Sequence, residues 1–171
     1  MIVVKYIGLL LIFISTSGIG VLISKKYSSR VKELTELKNS LNIFKTKIKF
    51  TYEPIPDIFS QISGMTNENI SKIFIEANEK MKDKTAGQAW IEAIDDIKSK
   101  LNLNEEDINV IKGLSKLLGK TDIDGQISEI ELTSSFIDVQ IEKAERDRIR
   151  NEKLYKTLGM ITGLTIVIIL I

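Results

Sequence analysis

Residues 27–48 read YSSRVKELTELKNSLNIFKTKI, and the apolar members Tyr27, Val31, Leu34, Leu37, Leu41, Phe44 and Ile48 recur at steps of three and four, with Lys, Glu and Asn between them. Side chains so spaced share one face of an α-helix, so the stretch predicts a long amphipathic helix whose seam must find a partner. No run of strand period competes with it anywhere in the chain.

Working outward toward the amino end, Tyr6 to Ile23 is apolar or small, interrupted only by hydroxyls and glycines such as Ser15, Thr16, Gly18 and Gly20. At ~1.5 Å per residue such a helix spans a hydrocarbon core of roughly 30 Å. The far end repeats the pattern: Thr157 to Ile171 is uncharged, and Leu154 and Tyr155 extend it if Lys156 snorkels. The expected organisation is a membrane helix over 1–24, a helical domain over 25–153 and a second membrane helix over 154–171. A cleaved secretory signal, with Lys5 as its basic start, is the weaker rival for the first segment.

Lys25, Lys26, Arg30 and Lys32 follow the first segment, and Arg146, Arg148, Arg150, Lys153 and Lys156 precede the second, whereas only Lys5 and the amino terminus lie outside. Positive charge retained on the inner side predicts that the middle is cytoplasmic. Within the spans, Gly159 and Gly163 form a G-x-x-x-G and Thr16 and Gly20 repeat its spacing, a pattern that lets helix backbones approach.

Between the spans the pattern is helical throughout. Pro54-Ile55-Pro56 ends the first seam, and Pro56 suits the first turn of a short helix through Ile58, Phe59 and Ile62, closed by Gly64. Ile70, Ile73, Phe74, Ala77 and Met81 predict a third helix. Thr85 and Gln88 form a capping box for a fourth, through Ala89, Trp90, Ala93, Ile94, Ile97 and Leu101. Asn104 and Asp107 open a fifth, carrying Ile108, Ile111, Leu114, Leu117 and Leu118, with Gly119 as a left-handed cap. From Asp122, the positions Ile123, Ile127, Ile130, Ile137, Ile141 and Ala144, with Ser134 in the seam, predict one helix running into the second span. The fold class is therefore all-α: a compact head of short helices between two long antiparallel helices that continue into the membrane.

The inventory removes much chemistry. With no His and no Cys, zinc sites, Ser-His or Cys-His nucleophile pairs and disulfides are excluded, and net charge +1 gives no general attraction for nucleic acid. Lys45, Lys47 and Lys49 do not share a face and make no basic stripe. Asp122, Asp124, Gly125 and Glu131 fit four positions of a calcium loop, but Lys120 occupies the leading one, and the helical seam competes with loop geometry. The carboxylates Asp95-Asp96 and Glu105-Glu106-Asp107 have no oriented partner in the pattern, and solvated helix faces explain them. Gly18-Ile19-Gly20 lacks both the third glycine and the strand context of a nucleotide loop. No metal, no cofactor and no catalytic residue is expected. Gly119, Asp122 and Gln126 are the candidates for a contact surface, with Trp90 as a candidate anchor otherwise read as core.

The collinear order of these features resembles the stage III sporulation protein AB family. Its carriers are Lys5, Gly8 and Gly18-Ile19-Gly20; Tyr27 and Arg30; Pro54-Ile55-Pro56; Ala89-Trp90; Leu118-Gly119 with Asp122 and Gln126; and Asn151-Glu152-Lys153 with Leu158-Gly159. Lys47-Ile48-Lys49-Phe50 departs from the family pattern, which is acidic before the isoleucine. The resemblance implies a mother-cell membrane protein of the complex that joins mother cell and forespore, required for endospore development. It also implies a soluble part similar to the cytoplasmic helical domain of type II secretion and type IV pilus platform proteins. Expected partners are the complex's secretion-type cytoplasmic ATPase, its other membrane subunits and the lipid bilayer, with homo-oligomerisation left open and no nucleic acid. A two-span signalling protein and a tethered calcium-binding domain are the alternative readings.

Overall fold

A computed structural model describes residues 2–170, with side chains over 4–170. Six α-helices follow in order: α1 (Ile2–Thr51), α2 (Ile55–Met65), α3 (Glu68–Lys80), α4 (Ala86–Ile97), α5 (Glu105–Lys112) and α6 (Ile123–Leu170), with 3-10 turns at Lys98–Lys100 and Gly113–Lys116. There is no strand among the described residues, so the class is all-α.

Helix boundaries follow local chemistry. α1 stops at Tyr52, whose φ of 57° is left-handed, just ahead of the predicted proline break. Pro54 occupies the cap of α2, and Pro56 lies in its first turn, where an amide would have no helical acceptor. Asn67 accepts from the Ile70 amide at the start of α3, the predicted capping box of Thr85 with Gln88 is formed, and Asn104 and Asp107 at the predicted start of α5 make a second.

Three boundaries differ from the periodic reading. α2 passes through Gly64 to Met65, and α4 ends at Ile97, leaving Leu101 extended beyond a 3-10 turn. α5 ends at Lys112, tightens into 3-10 over Gly113–Lys116, and leaves Leu117 exposed. A 3-10 turn advances side chains at three per turn rather than 3.6, and Leu117 turns outward there while Leu114 and Leu118 stay buried.

The chain divides into two compact units, one comprising residues up to Val31 and from Lys143, the other Lys32–Glu142. The sequence boundaries at 24/25 and 153/154 mark where apolarity ends; by packing, 25–31 and 143–153 belong with the apolar segments.

In the first unit the α1 and α6 segments pair antiparallel: Tyr27 stacks on Tyr155 with ring centroids 5.8 Å apart, and Arg30 bonds Asp147 at 2.9 Å. In the second, Lys38 bonds Asp138 at 2.6 Å and Lys45 reaches Glu131 at 3.4 Å, again with one index rising as the other falls.

The core of the second unit is an aromatic cluster drawn from four helices. Phe59 of α2 lies edge-on to Phe44 of α1 (5.1 Å) and Phe74 of α3 (5.2 Å), and both Phe59 and Phe74 pack on Trp90 of α4 at 5.6 and 5.5 Å. Buried rings of this kind each hold about 3–5 kcal/mol against truncation to alanine. The predicted α1 seam from Val31 to Ile48 is buried. On α6 the buried row is Ile130, Thr133, Ile137, Gln140 and Ala144, a three-four alternation in which two members are polar. Ser134 lies beside that row with its hydroxyl unbonded, and Ile123, Ile127 and Ile141 are only partly covered.

Candidate interaction site

Gly119, Asp122 and Gln126 are brought together at the turn that leads into α6. Gly119 has φ +69°, and a Cβ there would also lie 3.2 Å from the Ala86 Cβ, so glycine suits both the backbone and the space. The Asp122 carboxylate accepts from the Gly125 amide at 2.9 Å, capping α6. Gln126 reaches back over the cap: its amide nitrogen donates to the Thr121 carbonyl at 3.2 Å, and its oxygen accepts from the Gly119 amide at 3.4 Å. The three residues thus brace the turn with their own polar groups. α6 begins at Ile123, so Asp124, Gly125 and Glu131 are helical and the looped geometry of a calcium site is not formed.

Trp90, carried as a candidate interaction residue, is corrected to a core residue. It is 1% exposed, and its indole N–H donates to the Ile111 carbonyl at 2.8 Å, which ties α4 to α5. A ring so covered presents nothing to a partner.

Of the acidic groups singled out by sequence, Asp95, Asp96 and Asp107 are engaged in structural bonds. Asp95 accepts from Lys112 at 2.7 Å and from Lys98 at 2.9 Å, and those bonds hold its carboxyl below the usual range. Asp96 accepts from Lys80 at 2.7 Å, which raises the lysine above its ordinary value. Asp107 is spent on the Asn104 amide at 2.9 Å.

Sequence reasoning missed a polar latch on α1. Glu33, 4% exposed, accepts from the Asn102 amide (2.7 Å), the Asn102 side chain (2.9 Å) and the Asn69 side chain (3.1 Å), while Glu36 accepts from the Asn67 amide at 3.1 Å. These bonds join α1 to the start of α3 and to the α4–α5 connection. A charged residue between seam positions carries no signal of such burial; the asparagines near helix starts were the only available hint.

Within the first unit, Thr16, Gly20, Gly159 and Gly163 meet at one helix crossing. A Cβ added at Gly20 would lie 2.6 Å from the Tyr155 carbonyl oxygen, and one added at Gly159 would lie 2.9 Å from that of Thr16. Thr16 turns its hydroxyl to the Ile12 and Phe13 carbonyls, each at 3.0 Å, so its own donor is satisfied within α1. Outside the crossing, Ile7, Leu10, Leu11 and Ile14 of α1 and Ile161, Leu164 and Ile168 of α6 are exposed. α1 and α6 contain the candidate membrane spans, long and apolar enough to cross a bilayer, and their uncovered apolar side chains set them apart from core helices of a soluble protein.

These features define an all-α protein with two candidate membrane helices and no cluster of metal-ligating groups among the described residues. The chain belongs to the stage III sporulation protein AB family, whose model matches residues 5–171. It is 25% identical to stage III sporulation protein AB of Bacillus subtilis (strain 168), over 97% of this chain and 98% of that protein. A solved structure of stage III sporulation protein AB shares the fold, with a TM-score of 0.67 at 19% identity, covering 71% of this chain and 98% of its own. The family is one of sporulation proteins and not a known enzyme class.

Proposed function

We propose that this chain is a non-enzymatic membrane platform of the complex that joins mother cell and forespore during endospore formation. Its central helical unit faces the cytoplasm and docks the complex's secretion-type ATPase, while its terminal helices meet the other membrane subunits. The observation that carries this reading is continuity: α1 and α6 each extend without a break from an apolar, lipid-compatible segment into the helical unit. Exposed Lys25, Lys26, Arg150 and Lys153 flank the apolar segments on the inner side, which supports the orientation. The braced turn at Gly119, Asp122 and Gln126 supplies a rigid surface for the motor.

Tagged full-length chain, extracted from membranes of sporulating cells, is expected to bring the ATPase with it. The natural chain contains no cysteine, so a single Lys82→Cys change provides a clean topological probe. Labelling only from the inner face is expected; labelling only from the outer face, or an ATPase that washes away under mild extraction, overturns the platform.

A further inference from the structure

Charge is divided unevenly along this chain. Residues 1–31 and 143–171 carry ten Lys or Arg and three Asp or Glu, against fourteen and twenty over 32–142. Of those ten, all but Lys5 fall within 25–30 and 143–156, at the inner end of the apolar segments. Positive charge is therefore concentrated at the level where lipid headgroups would lie.

At that end α6 has an open groove of about 460 Å³ whose lining includes Arg148, Glu152, Lys153 and Lys156, three cations to one carboxylate. Arg148 bonds Glu145 at 2.9 Å and Lys156 bonds Glu152 at 2.8 Å. Both are partly exposed pairs within one helix, which hold little net energy and leave N–H donors to spare for an anion. Lys153 is exposed and makes no ion pair among the described residues.

The same face continues into the span as hydrocarbon. Arg148, Glu152, Lys156, Met160 and Leu164 stand at four-residue steps along one ridge of α6, and Met160 and Leu164 are each 51% exposed. Leu164 and Val167 form one wall of a second groove, with Leu10 and Phe13 of α1 opposite. At ~1.5 Å per residue this apolar groove lies about 12 to 17 Å beyond Lys156. A lipid chain reaches about 15 Å, half of a roughly 30 Å hydrocarbon core.

We propose that this face of α6 holds one anionic phospholipid of the inner leaflet, its phosphodiester among Arg148, Lys153 and Lys156 and one acyl chain running over Met160 into the groove at Leu164 and Phe13. The sign of the upper groove selects the headgroup, since a zwitterionic lipid would bring its own ammonium against the same lysines. The depth of the lower groove matches the chain attached to that headgroup. A membrane helix of another protein fits less well, because the small residues that allow close approach, Gly20, Gly159 and Gly163, are turned into the crossing of α1 with α6. The site rests on the membrane placement of the apolar segments and not on the ATPase.

The test is native mass spectrometry of the full-length chain released from nanodiscs made with equal amounts of phosphatidylglycerol and phosphatidylcholine. One phosphatidylglycerol should stay bound per chain, in preference to phosphatidylcholine. Lys153→Gln combined with Lys156→Gln should lower that retention about ten-fold or more. Lys25→Gln combined with Arg150→Gln removes the same charge from outside the groove and should leave retention unchanged. Leu164→Trp, which fills the lower groove, should lower it as well, with helical circular dichroism equal to the parent's in every variant. Soluble glycerol phosphate should not displace the lipid. Equal retention of the two lipids, equal loss from the two double variants, full retention in Leu164→Trp, or displacement by glycerol phosphate overturns the proposal. So does a second protein chain retained on this face in place of lipid and released by Leu164→Trp. A chain that never enters the discs removes the membrane reading and the lipid site together.

Discussion

Glu33 shows how much one side chain can organise. Its carboxylate satisfies the Asn102 amide, which has no helical acceptor at that turn, and holds two asparagine side chains from different elements. Glu33→Ala leaves those donors partly buried and unbonded, a loss of about 2–3 kcal/mol, to be read as a lower urea midpoint with an unchanged slope. Asp95 makes a pH-dependent contribution. Bonds from Lys112 and Lys98 depress its folded value, so the stability it adds is present above the unfolded carboxyl range, about pH 4, and disappears as pH falls through the lower folded value. The melting-temperature gap between the parent and Asp95→Asn should therefore be open at pH 6 and close on acidification below about pH 4. A gap that persists at acid pH would show that the aspartate acts through packing instead. At this scale the sequence was legible where a residue acts on its own backbone neighbourhood, as with Thr85, Asn104, Asp122 and Gly119. It was not legible at Glu33, whose bonds depend on elements distant in the chain.

Helix positions were readable because their signals are local, while register and burial depend on what each helix meets. The α1 seam holds as predicted because every member from Val31 to Ile48 is apolar. The α6 seam does not: Thr133 and Gln140 occupy buried positions, and a search for apolar spacing instead picks up Ile123, Ile127 and Ile141 at the margin. The small-residue crossing was the clearest long-range signal, since glycine at four-residue spacing has a geometric consequence, and here Gly20 and Gly159 face each other within one chain. Gly159→Leu places a branched side chain where a single added carbon already meets the Thr16 carbonyl oxygen at 2.9 Å. The two apolar segments should separate, seen as loss of disulfide formation between cysteines engineered at Tyr27 and Tyr155, whose rings stack in the parent. Full cross-linking in Gly159→Leu would mean that the crossing is held by other contacts.

At the scale of the whole molecule, the proposed platform role requires force or position to pass between the helical unit and the apolar segments, and α1 and α6 are the elements common to both compact units. If α6 carries that load, its stiffness near the boundary matters more than its surface. Ile141, only partly covered and close to the boundary at Glu142, is a suitable place to break it with little loss of packing. Ile141→Pro removes one amide from the helical ladder and clashes with the preceding turn, at about 3 kcal/mol or more. Asp124→Pro is the matched control, because it falls in the first turn of α6, where proline is tolerated. Both variants should insert in membranes and retain helical circular dichroism, but spore yield should collapse only for Ile141→Pro. Equal yields from the two would place the load elsewhere, and equal losses accompanied by degradation of both chains would show instability in place of uncoupling; either result removes the case for α6 as a rigid link.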